Sequence, residues 1–117
     1  MYGGTDLMKM DLLQGTLDVL ILKALSWGPL HGYAVVRWIE RTTEDVLRIE
    51  EGALYPALHR MERRGWIEAE WGMSEKNRKA KFYRLTDPGR RALHAESETW
   101  QRYAQAVGKV LQAAQGV

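Results

Sequence analysis

The chain has 117 residues, 45% hydrophobic and 27% charged, which is room for one domain and excludes collagen-like, low-complexity and wholly disordered chains. It has no cysteine, which excludes disulfides, thiol catalysis, thiolate zinc sites and iron–sulfur clusters and fits a reducing, cytoplasmic setting. The formal charge is +2 and the pI about 9.0, but the charge is uneven: residues 1–45 carry a net −2, residues 46–94 a net +4 and residues 95–117 none.

Residues 1–11 contain Gly3-Gly4 and no clear period, and are expected to form a loose arm. The longest apolar run, Val19 to Leu22, is far short of the roughly 20 residues a membrane span needs. Leu13, Leu17, Leu20, Ile21, Ala24 and Leu25 recur at helical spacing and predict a helix from Leu12 to Ser26. Gly28-Pro29 ends it, and His31-Gly32-Tyr33 opens a second helix to about Arg41. Its expected apolar face is Tyr33, Val36, Trp38 and Ile39. Val46 to Ile49 reads as a short strand. A third helix follows from about Ala53 to Arg64, capped by Gly65. Trp66 to Trp71 alternates apolar and polar as a strand, Gly72 to Lys79 is turn-like, and Ala80 to Leu85 is the return strand. Thr86 can cap a last helix whose first turn holds Asp87 and Pro88 and which runs to about Ala114.

Three helices followed by a two-stranded hairpin is the winged helix-turn-helix plan. The expected fold is mainly α with a small β-hairpin: a winged helix-turn-helix over residues 12–86 and a dimerisation helix over 87–117. Turning 100° per residue places Leu54, Ala57, Leu58 and Met61 on one apolar stripe of the third helix. The opposite face carries Gly52, Tyr55, Pro56, His59 and Arg63, flanked by Arg60 and Arg64. Arg and His donate to phosphates and base edges, and Tyr can contact both. Gly52 leaves the helix N-terminus open to a phosphate. Glu50-Glu51 suits the helix dipole but repels DNA. Lys76, Arg78, Lys79 and Lys81 cluster on the hairpin, where a wing can track the phosphate backbone or enter the minor groove.

On the last helix Leu93, Trp100, Val107 and Ala114 are spaced by seven, and Tyr103, Ala104, Val110 and Leu111 fill the same side. No later element covers this stripe, so it is expected to meet the first helix and a second copy of the chain. A twofold dimer predicts an inverted-repeat DNA site with half-sites about one turn apart. Of the five tryptophans, Trp27, Trp38, Trp66 and Trp71 are expected to be structural, and Met73 at the wing tip is given no role.

Several of these motifs, in register, resemble the PadR-type transcriptional regulators of the short kind. Leu12-Leu13-Gln14-Gly15-Thr16-Leu17-Asp18 is similar to that family's first-helix start, and Pro29-Leu30-His31-Gly32-Tyr33 to its turn into the second helix. Glu51 to Glu62 (EGALYPALHRME) resembles its most characteristic stretch. Gly65-Trp66-Ile67 and Tyr83 to Gly89 (YRLTDPG) resemble its wing strands and last-helix start. The resemblance covers about residues 12–93. It implies a dimeric, DNA-binding bacterial repressor relieved by a small molecule. It places Tyr55, Pro56, His59 and Arg60 on the DNA-facing helix and Lys76 to Lys81 on the wing. In short members the cavity between the two last helices can hold a flat aromatic effector, on which Trp100 could stack. Ala53 departs from the family's usual Ser or Thr, with an expected loss of a helix cap worth about 1 kcal/mol.

An enzyme is not expected. His31, His59 and His94 are far apart without metal-ligand spacing, and there is no Gly-rich phosphate loop or paired-carboxylate constellation. No cofactor or metal is implied, and His31, after a Gly-Pro turn, reads as structural. The alternative is a winged-helix protein-interaction module without DNA binding, for which the outer face of the third helix would be acidic or apolar.

Overall fold

A computed structural model of the chain describes residues 15–116. The expected arm and Leu12, Leu13 and Gln14 of the first-helix reading lie outside them. The elements in chain order are α1 (Thr16–Leu25), β1 (Leu30–His31), α2 (Gly32–Thr42), α3 (Glu51–Arg63), β2 (Ile67–Met73), β3 (Lys79–Leu85) and α4 (Asp87–Gln112). The three strands form one antiparallel sheet in the order β1-β3-β2. This is the expected α+β winged-helix arrangement.

Most boundaries follow from local chemistry. His31 is the N-cap of α2, where its Nδ1 accepts from the Ala34 N–H at 3.2 Å. Its ring also stands edge-on to Phe82, with centroids 5.4 Å apart. Gly65, at φ +78°, ends α3 in the left-handed conformation that glycine tolerates best. There the Trp66 N–H donates to the Met61 carbonyl and the Gly65 N–H to the Glu62 carbonyl. Thr86 caps α4 by accepting from the Gly89 N–H at 3.0 Å, and its hydroxyl donates to the Gly65 carbonyl at 2.6 Å.

Two expectations for the second helix and its sequel are corrected. Val46–Ile49 is not a strand. The α2 C-terminus captures this segment: Asp45 N–H donates to the Glu40 carbonyl, Leu47 N–H to Thr43 Oγ1 and Ile49 N–H to Glu40 Oε2. With the N–H groups of Val46, Leu47 and Ile49 spent there, the segment forms no strand ladder, and the third strand is instead Leu30–His31, opposite Tyr83 and Phe82. Tyr33 is not on the buried face of α2 either. Gly32, Val35 and Ile39 line the core, while Tyr33, Arg37 and Arg41 run along the outside at four-residue spacing.

The core joins Ile21, Leu22, Ala24 and Leu25 of α1, Val35 and Ile39 of α2, and Leu54, Ala57, Leu58 and Met61 of α3, as the stripe on the third helix predicts. Ile67, Tyr83 and Leu85 close it from the sheet. Each fully buried Leu or Ile contributes about 1.5–3 kcal/mol. Trp38, Trp66 and Leu93 pack against its edge. Trp27 and Trp71 do not: both rings are largely exposed, with Lys23 Nζ 4.9 Å from the Trp27 centroid and Lys79 Nζ 5.6 Å from that of Trp71. The helix end and the strand's reach beyond the core put them there.

α4 leaves this body at a tightly seated residue. Gly89 is buried, and a Cβ built there would stand 2.0 Å from the Trp66 carbonyl oxygen. Gly89→Ala should therefore destabilise the fold by about 2–4 kcal/mol, measured by urea unfolding. Tyr83 supplies a second test. Burial first, then the Glu62 carboxylate and Tyr55, push its phenol above the ordinary value of 10.0. The folded state thus holds this proton more tightly than the unfolded one. The stability so gained is complete below pH 10 and is lost as pH rises through the raised folded value. Tyr83→Phe should remove that component from the alkaline limb of a stability-versus-pH curve.

Candidate nucleic-acid interface

α3 separates two kinds of residue. Leu54, Ala57, Leu58 and Met61 are buried, while Gly52, Tyr55, Pro56, His59 and Arg63 are exposed on the other side. A Cβ at Gly52 would meet nothing within 4 Å, so the helix start is sterically open. Tyr55 lies across the N-terminus of α2, its hydroxyl 3.0 Å from where a Cβ of Gly32 would stand. Small size at position 32 thus lets the two helices approach through the tyrosine ring. Pro56 sits inside α3, where it removes one helical hydrogen bond on the solvent side.

Arg60 departs from the expectation. Its Nη2 donates to Asp18 Oδ1 at 2.6 Å, and Arg64 Nη1 stands 3.8 Å from Oδ2 of the same carboxylate. Both guanidinium groups leave the outer face for the flank beside α1. Asp18 is buried in the first turn of α1, so this pair fixes the roll of α3 about its own axis. A partner 42 residues away in sequence leaves no local signature. Ala53 is also re-read. It is the third residue of α3, and the N-cap is Glu50, which makes no side-chain cap bond. The Ala53 N–H already donates to the Glu50 carbonyl at 2.9 Å. No cap is lost at position 53.

The wing is a ladder of seven paired residues, Ile67 opposite Leu85 through Met73 opposite Lys79. Its turn is closed by Asn77 N–H to the Ser74 carbonyl and Ser74 N–H to the Arg78 carbonyl, each 2.8 Å, with Asn77 at φ 59°. Asn is among the few non-glycine residues that adopt this conformation readily. Lys76, Arg78 and Lys79 are exposed and Lys81 is half-buried. The structure thus places three of the four expected wing cations in solvent.

α4 holds α1 through one specific bond, Trp100 Nε1 to Thr16 Oγ1 at 3.0 Å. Leu93 packs on the core edge. Beyond Trp100, Tyr103, Val107, Val110 and Leu111 are exposed and Ala104 is half-exposed. Ala114 is corrected: α4 ends at Gln112 with Ala113 as C-cap, so Ala114 is not on the helical stripe. Trp100 also lines a groove of about 610 Å³ between α1, α4 and the segment after α2, with Leu20, Leu47, Leu93, Lys23 and Arg90.

Residues 21–95 match the Transcriptional regulator PadR-like family. The chain belongs to the PadR-like family. An uncharacterised protein of Lysinibacillus sphaericus is 30% identical over 94 residues, which are 80% of this chain and 86% of that one. A PadR family transcriptional regulator from Eggerthella lenta shares the fold with a TM-score of 0.72 at 34% identity, covering 86% of each chain. A transcriptional regulator from Clostridium thermocellum aligns with a TM-score of 0.76 at 29% identity, over 85% of this chain and 96% of that one. The family and fold are those of a transcription regulator. Most of the exposed stripe on α4 lies beyond the residues matched by the PadR-like family.

Reading the sequence for PadR motifs misses two surfaces. One is Tyr33, Arg37 and Arg41 on α2, where Arg37 Nη1 donates to the Tyr33 hydroxyl at 3.4 Å. Their four-residue spacing was the available signal. The other is the wing face that bears Trp71. Among the described residues no helix is long and apolar enough to cross a membrane.

The Asp18 contacts give a prediction that needs no DNA. Asp18→Asn should cost about 1–2 kcal/mol in urea unfolding, the lower part of the range for charged hydrogen bonds because Arg60 is partly exposed. A double-mutant cycle with Arg60→Ala should give a coupling of at least about 0.5 kcal/mol.

Proposed function

We propose that this PadR-family chain is a homodimeric, ligand-responsive repressor that reads an inverted-repeat DNA site. The observation that carries this reading is the outer face of α3. Tyr55, Pro56, His59 and Arg63 are exposed there together, opposite a fully buried stripe. Such a face presents hydrogen-bond donors of different length to base edges in a major groove. Glu62 lies at its edge and is half-buried, and Glu51 stands at the helix start. Arg60 is assigned a positioning role, since its guanidinium holds Asp18.

The wing supplies the sequence-independent part. Lys76, Arg78, Lys79 and Lys81 neutralise phosphates, and Arg37 and Arg41 extend the same potential along α2. The dimer rests on α4. Tyr103, Val107, Val110 and Leu111 form an exposed apolar stripe that a second copy would bury. A small flat effector would meet Trp100 and the groove beside it, with Lys23 and Arg90 at its rim favouring an anionic group.

Selection of genomic fragments by the purified protein at about 150 mM salt tests the reading, because random DNA binds poorly there. An inverted repeat with half-sites about one turn apart should be enriched. On that site His59→Ala or Arg63→Ala should lose roughly 1–3 kcal/mol if the side chain reads a base. Enrichment of no sequence, with no retention on heparin, would favour the protein-interaction module. Leu111→Asp should convert the dimer to monomer in sedimentation while leaving the wing and α3 folded.

A further inference from the structure

The two faces of the wing differ in charge, and the pairing register shows how. On one face β2 presents Ile67, Ala69, Trp71 and Met73, opposite Leu85, Tyr83, Lys81 and Lys79 of β3. On the other it presents Glu68, Glu70 and Gly72, opposite Arg84, Phe82 and Ala80. Both strand carboxylates thus lie on the second face, and Glu68 is neutralised there by Arg84 at 2.7 Å. The first face has two lysines and no carboxylate. Near the body it is core, with Ile67, Tyr83 and Leu85 buried. Toward the tip it emerges from cover, and Trp71 is 62% and Met73 59% exposed.

Two large apolar side chains left mostly in solvent beside lysines gain little from packing within the chain itself. Lys79 Nζ stands 5.6 Å from the Trp71 ring centroid and Lys81 Nζ 6.0 Å from that of Tyr83. The cations therefore lie over the apolar surface, and the outward tip adds Lys76 and Arg78 against one carboxylate, Glu75. The occupant that fits is a polyanion with an apolar interior edge. The minor groove of a duplex has that chemistry: phosphates on both rims, and sugar and base-edge atoms on its floor. A protein partner of ordinary charge would leave up to four cations unpaired.

We infer that Trp71, with Met73, is an apolar wedge that the wing sets into the DNA minor groove while its lysines hold the flanking phosphates. This rests on the DNA-binding reading above and adds to it an apolar contact and a preference. A wedge is opposed by the guanine 2-amino group, which protrudes into the minor groove. Replacing guanine by inosine removes that group and leaves the major groove unchanged, so the two grooves can be tested separately.

The experiment measures binding of the full chain to 30-base-pair duplexes of random sequence, made with either G·C or I·C pairs, from about 50 to 200 mM salt. The wild type should bind the I·C duplex more tightly. Trp71→Ala should weaken binding to it about tenfold, abolish the preference and leave the salt slope unchanged. Trp71→Phe should restore part of the affinity. Lys79→Ala should instead flatten the slope by about 0.9 and keep the preference. Trp71→Ala should melt with the wild type, because the ring is exposed. A Trp71→Ala variant that binds as the wild type, while Lys79→Ala flattens the slope, overturns the wedge and leaves the DNA reading standing. A changed slope with an intact preference also overturns it, since Trp71 would then only position Lys79. A wild type that binds neither duplex overturns both.

Discussion

The contact on which the placement of α3 depends is the buried carboxylate of Asp18. It draws Arg60 and Arg64 to the α1 side of α3, and a helix clamped on that flank has only one face left to offer. Desolvating a carboxylate is costly, and two guanidinium groups in contact with solvent offset much of that cost. Hydrophobic burial is non-directional and by itself sets only which stripe of α3 faces inward. The directional bond adds a fixed contact on one flank. Thr16, two residues earlier and equally buried, does the corresponding job for α4 by receiving the Trp100 indole N–H. One turn of α1 thus orients both α3 and the long helix α4.

The parts of this fold legible in the sequence are those with a local cause. Thr86 followed by Asp87-Pro88, Gly65 after a run of helix formers, and the alternation from Trp66 onward each act within a few residues. The α3 stripe is equally local, because helical geometry fixes which positions share a side. β1 has two residues, too few to show a period, and it exists because β3 offers an edge. Val46–Ile49 has strand-like composition, but the α2 end takes three of its four N–H groups first. Arg60 looks like a DNA contact on a helical wheel, and only the fold brings Asp18 to it. Trp71 alternates like a core residue, and register alone does not say where along a strand the core ends.

That last point separates composition from placement. The same face of the hairpin holds Tyr83 in the core and Trp71 in solvent, twelve positions apart in chain but diagonal neighbours one rung pair apart on the ladder. What changes between them is whether a helix lies overhead. A wing is therefore a strand pair that outruns its own core, and its side chains keep the core-facing pattern after the core has stopped. The lysines at the outer rungs mark where that change occurs.

The seating of Gly89 under the Trp66 carbonyl has a mechanical consequence. α4 spans 26 residues, a rod of about 39 Å, and its first turn is locked to the hairpin through Gly89, Thr86 and Gly65. With no slack at this joint, the rod and the wing turn as one piece. A tilt of about 5° at the far end of a lever that long moves the near end by about 3 Å, close to the rise of one base pair. Whatever shifts the distal half of α4 is therefore passed on undiminished to the winged body.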